Sequence, residues 1–179
     1  MSSSFDRHPR KLQELRGRPF ADEVYKRELG AVEISRLDQG DGDRFLLDKE
    51  FAIDVILKMP TGHQLTGQEK FLSYQYEGFN SVTVQYLEDP LTGKPGDWFT
   101  GAFQFYFVAY FNHNNTGWLK WAILNWVNIV LATRDGDVLW HDQENKYSDA
   151  KSTLRWCKVD LLPIDCVVAQ QGFRIDRSE

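Results

Sequence analysis

The 179-residue sequence holds only two cysteines, Cys157 and Cys166. That count excludes a disulfide framework and a cysteine-built zinc site, and both thiols read as small buried side chains. No apolar run reaches the ~18 residues of a membrane span. The best candidate, 99–111, is shorter and is interrupted by Thr100 and Gln104. The first ten residues lack the apolar centre of a signal peptide, so a cytoplasmic protein with no membrane partner is expected. A basic excess is missing too: the net charge is −5, which counts against an extensive nucleic-acid footprint. Gly40, Asp41 and Gly42 are followed by neither the lysine nor the helix of a phosphate loop. His63, His113 and His141 have no acid or cysteine at ligand spacing, so they read as surface groups.

Apolar residues make up 42% of the chain and charged residues 26%. Both are near the globular average, so a packed domain is expected rather than disorder. The length suits one domain. Arg7, Arg10, Lys11, Arg16 and Arg18 crowd a polar segment bounded by Pro9 and Pro19. Residues 1–19 therefore read as a basic, flexible arm suited to a nucleic-acid partner, and 20–179 as the domain. An acidic stretch follows, with Asp22, Asp38, Asp41, Asp43, Asp48 and Asp54, and more lysine and arginine near the C-terminus. The aspartates of 38–43 lack the later bidentate glutamate of a calcium loop and read as a turn.

Residues 21–29 suit a short helix with acids in its first turn and Gly30 as its stop. Alternation predicts strands at 32–37, 64–72 and 81–87, and an apolar β-branched run predicts one at 51–57. Residues 60–62 form a turn, with Gly62 placed for positive φ. The aromatic stretch 98–111 reads as a helix giving way to a strand near Tyr106. Segment 118–131 reads as strand-like around 122–126, and a short strand is expected at 154–159. The order predicts an α/β or α+β domain with a mixed sheet and flanking helices.

Asp54 stands out because an unpaired aspartate within so apolar a strand costs several kcal/mol. It needs a cation or another partner. A three-residue loop at 60–62 would set Met59 against His63, Asp54 against Gln68, and Ala52 against Lys70. Gln68 and Lys70 share a face and Glu69 takes the other. A four-residue loop would send Asp54 to the wrong face. Carboxylate, amide oxygen and ammonium together suit phosphodiester hydrolysis around a hard cation such as Mg2+ or Mn2+. The lysine would position the attacking water or stabilise charge growing on phosphorus.

Asp54 followed by Gln68, Glu69 and Lys70 on the next strand resembles the PD-(D/E)XK nuclease motif, in the D…QxK form of Mrr-type restriction endonucleases and some phage nucleases. The resemblance covers residues 20–90. It implies a restriction-endonuclease-like core, DNA as substrate and a divalent metal held by Asp54, Gln68 and the Glu69 main-chain carbonyl. It also implies an acid from the preceding helix, either Glu23 or Glu28, and a phage or bacterial setting. Cutting both strands would favour a homodimer. Two departures stand: Gln68 replaces an acid, and 72–81 is short for the helix that should follow. The alternative is a non-catalytic interaction or assembly module on a mixed sheet, with Asp54 and Lys70 as a plain cross-strand ion pair. Trp118, Trp121 and Trp126 could stack bases, although a core role suits them better.

Overall fold

A computed structural model describes residues 7–37, 47, 50–145 and 152–174. The expected turn at 38–43, the first six residues of the arm, and the side chains of Arg7 and Arg10 lie outside the described residues. The chain is a mixed α+β protein. A six-stranded mixed sheet has the order β1-β2-β3-β6-β7-β10, and a four-stranded antiparallel sheet has the order β5-β4-β9-β8. In the first sheet β1 is Glu33–Arg36, β2 Val55–Lys58, β3 Gln64–Leu72, β6 Phe105–Phe111, β7 Trp118–Asn125 and β10 Val167–Gln171. In the second, β4 is Ser81–Asp89, β5 Lys94–Pro95, β8 His141–Glu144 and β9 Thr153–Lys158. The α-helices include α1 (Arg7–Val24), the single turn α2 (Asp97–Thr100) and α3 (Trp126–Asp135).

The arm expected over 1–19 is corrected from residue 7 onward, because α1 runs through it with Pro19 inside. Docking explains why this polar stretch is helical. Gly17 lies so close to the sheet that a β-carbon there would stand 2.7 Å from Phe71 and 2.8 Å from Trp118. Ala21, Val24 and Tyr25 then seat against Phe105 and Phe107 of β6. The helix continues as a π-helical turn, Tyr25–Leu29, and stops at Gly30 as expected.

β6 is the central strand and is buried along its whole length. Its odd-numbered residues 105–109 face α1, and its even-numbered residues face the second sheet. It runs parallel to β3, with Gln68 beside Tyr106 and Lys70 beside Val108. The strand expected at 81–87 exists, but it leaves the first sheet and pairs with β9. The 3-10 helix Tyr74–Phe79 makes that exit, which is why 72–81 is too short for a full helix. The parallel neighbour of β3 arrives only after the excursion of 73–104.

The aromatics of 118–126 are core side chains. Trp121 and Trp126 are each 4% exposed, and the half-buried Trp118 packs on Phe71 and Phe111. Both cysteines are buried and free. Burial pushes the Cys166 thiol up to about 11 and Cys157 higher still. Among the described residues no helix is long and apolar enough to cross a membrane.

Candidate metal and phosphate site

The hairpin has the three-residue loop. Met59 N–H donates to His63 O (2.8 Å), Gly62 N–H donates to Met59 O (2.9 Å), and Gly62 takes φ +85°. A side chain at that φ would be strained, which pins the turn and the register with it. The ladder runs from Lys58–Gln64 to Val55–Gly67, the register that points Asp54 towards Gln68.

The ladder then breaks, so two expectations need correcting. Asp54 is the residue before β2 rather than its middle, and Ala52 does not pair with Lys70. Ala52 sits at φ +50°, where the chain swings away. Asp54 N–H still reaches Gly67 O (2.9 Å). Its carboxylate Oδ2 then accepts the Glu69 N–H (2.7 Å), taking the place of a strand carbonyl. The N–H and C=O of one strand residue leave on the same side. The Glu69 carbonyl is therefore directed to the edge where Asp54 sits.

A second acid joins from the residue just ahead of the helix expected at the start of 98–111. Asp97 opens α2, and its Oδ2 lies 3.4 Å from Gln68 Nε2, a long hydrogen bond. Its distance of 29 residues from Gln68 hid it; an aspartate following glycine at a helical start was the available signal. Gln68 Oε1 is buried and has no hydrogen-bond partner among the described residues. Flipping the amide would turn that oxygen towards the Asp97 carboxylate, so the amide chemistry favours this orientation. Tyr106 lies beneath. Burial pushes its phenol well above the usual range, and Asp54 and Asp97 are near enough to add to the shift. Asp54, Gln68, Lys70 and Asp97 are all half-buried, so solvent reaches them.

Glu69 faces the other way, as alternation requires. Its carboxylate takes two hydrogen bonds from Arg36 (2.9 and 3.0 Å) and one from Tyr25 Oη (2.8 Å). Arg36 also pairs with Asp22 at 2.7 Å. Glu69 contributes its main chain to the candidate site and its carboxylate to the α1 interface. The expected helix-borne acid is a further correction: α1 covers the Glu69 face, so Glu23, exposed on α1, belongs to the side opposite Gln68 and Lys70. Glu28 pairs with its neighbour Arg27. Lys11 and Arg16 are exposed on α1 and Arg18 is half-buried there.

Among the described residues no group of three or more His, Cys, Asp or Glu could hold a metal by itself. A donor set here would combine Asp54 and Asp97 with the neutral oxygens of Gln68 and Glu69, all of them hard ligands of the kind magnesium takes. No family model, curated protein or solved structure matches the chain.

Proposed function

We propose that the chain is a divalent-metal-dependent nuclease that hydrolyses phosphodiester bonds of DNA. One observation carries the reading: the Gln68 amide oxygen is buried with no hydrogen-bond partner among the described residues, on a side chain whose Nε2 meets Asp97 and whose neighbour Glu69 meets Asp54. A buried polar oxygen left unpaired costs about 1–3 kcal/mol, and a cation would be its missing partner. Asp54, Gln68 and the Glu69 carbonyl would hold Mg2+ or Mn2+, with Asp97 as the second charge. The ion would supply Lewis acidity and lower the pKa of an attacking water. Lys70, one step further along the same face, would hold that water and stabilise charge developing on phosphate oxygens. Lys11, Arg16 and Arg18 of α1 lie across the sheet from this site, so together with Arg7 and Arg10 they would bind DNA backbone away from the phosphate that is cut.

The second reading, a non-catalytic module, has its own support, since the Glu69 N–H gives Asp54 a structural task. Asp54→Asn separates the two, because an amide oxygen can still accept that N–H while the charge is lost. Metal-dependent cutting of single-stranded, duplex or branched DNA by wild type, abolished in a well-folded Asp54→Asn, supports the nuclease. Lys70→Ala is expected to lower the rate by about 100-fold or more. Unchanged cutting in either variant rejects the site.

A further inference from the structure

The same sheet face continues past Lys70 into a cleft of about 410 Å³ between the two sheets. Leu72 and Tyr110 form its floor, and they continue the rows that carry Gln68 and Tyr106. Four residues of strand put the floor about 13 Å from Gln68. The walls are aromatic and unusually open. Phe79 is 59% exposed and Tyr76 45%, and both come from the 3-10 helix that leaves the first sheet. Trp156 of β9 stands in the opposite wall, its ring stacked on His141 at 4.4 Å. Gln143 adds an amide to the lining, and Lys158 brings a cation 5.8 Å from the Trp156 ring. Lys158 also donates to the Phe79 carbonyl, which ties the two walls together.

From this arrangement we infer that the cleft receives a base of the substrate strand, unstacked and held against Trp156, Tyr76 and Phe79. The inference rests on the nuclease reading and extends it to single-stranded or locally opened DNA. Flat apolar walls suit the face of a base, Gln143 suits its polar edge, and Lys158 suits the phosphate beside it. Phosphate contacts alone would need only surface lysines. A cleft of this size and lining is suited to a ligand with an apolar ring. Its continuity with the Gln68 row lets one strand occupy both places.

The test uses the Asp54→Asn protein, so that nothing is cut, and a fluorescently labelled oligothymidylate read by anisotropy. A matched oligomer with abasic sites keeps the phosphates and removes the bases. The base-bearing oligomer is expected to bind about 10-fold tighter or more than the abasic one, in line with stacking energies per base. Trp156→Ala is expected to erase most of that difference, and so is Phe79→Ala, whose site is exposed enough to leave folding intact. Equal binding of the two oligomers overturns the inference, as does discrimination that survives both substitutions. The catalytic reading is judged separately, by metal-dependent cleavage with wild type. Base discrimination without cleavage would sink the nuclease and leave the cleft as a binding site.

Discussion

Arg36 is the residue on which the α1 side of the sheet turns. Its side chain is 8% exposed and that of Glu69 6%, and the pair is completed by Tyr25 and Asp22. Taking two charges out of water is costly, so the pair is weak evidence of net stability, but removing one partner leaves the other stranded. Arg36→Ala is therefore expected to cost about 3–5 kcal/mol in urea unfolding; a loss below about 1 kcal/mol would show the network to be solvated. The same network sets a pH dependence. Burial raises the Glu69 carboxyl above its usual 4.5, and the attraction of Arg36 and the Tyr25 and Arg36 hydrogen bonds only partly offset it. A carboxyl whose folded pKa lies above its unfolded value stabilises fully below the unfolded value. That contribution is lost as the pH rises through the folded value. The stability of wild type minus that of Glu69→Gln should thus decline from about pH 4.5 upward. A difference that is flat with pH, or that rises, contradicts this.

Among the elements, the hairpin was the most legible because one residue dictates it. Gly62 at positive φ fixes the loop length, and the loop length fixes the register as far as Val55. The boundary of the strand was not legible, because the apolar run 51–57 contains no sign that Ala52 would turn the chain away. α3 was missed for a similar reason. The strand β7 passes into helix without a break in hydrophobicity, and the one marker is Asn125, whose side chain caps Asn128 N–H at 3.1 Å. Pro19 misled in the other direction. It reads as a helix boundary, yet the packing of Gly17 and Ala21 against the sheet holds α1 together across it. That contact gives a prediction with two opposing terms. Gly17→Ala improves helix propensity by about 1 kcal/mol. The added methyl would meet two aromatic rings at less than van der Waals distance, and overpacking of this kind costs about 1–3 kcal/mol. Net destabilisation is expected. A variant as stable as wild type would mean that α1 shifts easily on the sheet.

For the whole molecule, the sequence pointed to a mixed sheet but not to the second sheet or to the route between the two. That route matters because α2 lies on it. Asp97 leads from β5 of the second sheet towards β6 of the first, and its carboxylate meets Gln68 on β3. A cation bound between Asp54, Gln68 and Asp97 would tie the excursion 73–104 to the first sheet, and binding only to the folded state must raise global stability. At a hundred times the dissociation constant the gain is about 2.7 kcal/mol. In a chain of this size each kcal/mol moves Tm by about 2–4 °C, so Mg2+ or Mn2+ should raise Tm by roughly 5–11 °C. Asp54→Asn and Asp97→Asn should each remove most of that rise, while Glu23→Gln, on the opposite side of the sheet, should leave it unchanged. Loss of the rise in Glu23→Gln would move the metal to the α1 face. A rise that persists in Asp54→Asn combined with Asp97→Asn would place the ion elsewhere on the protein and leave the Gln68 oxygen without an explanation.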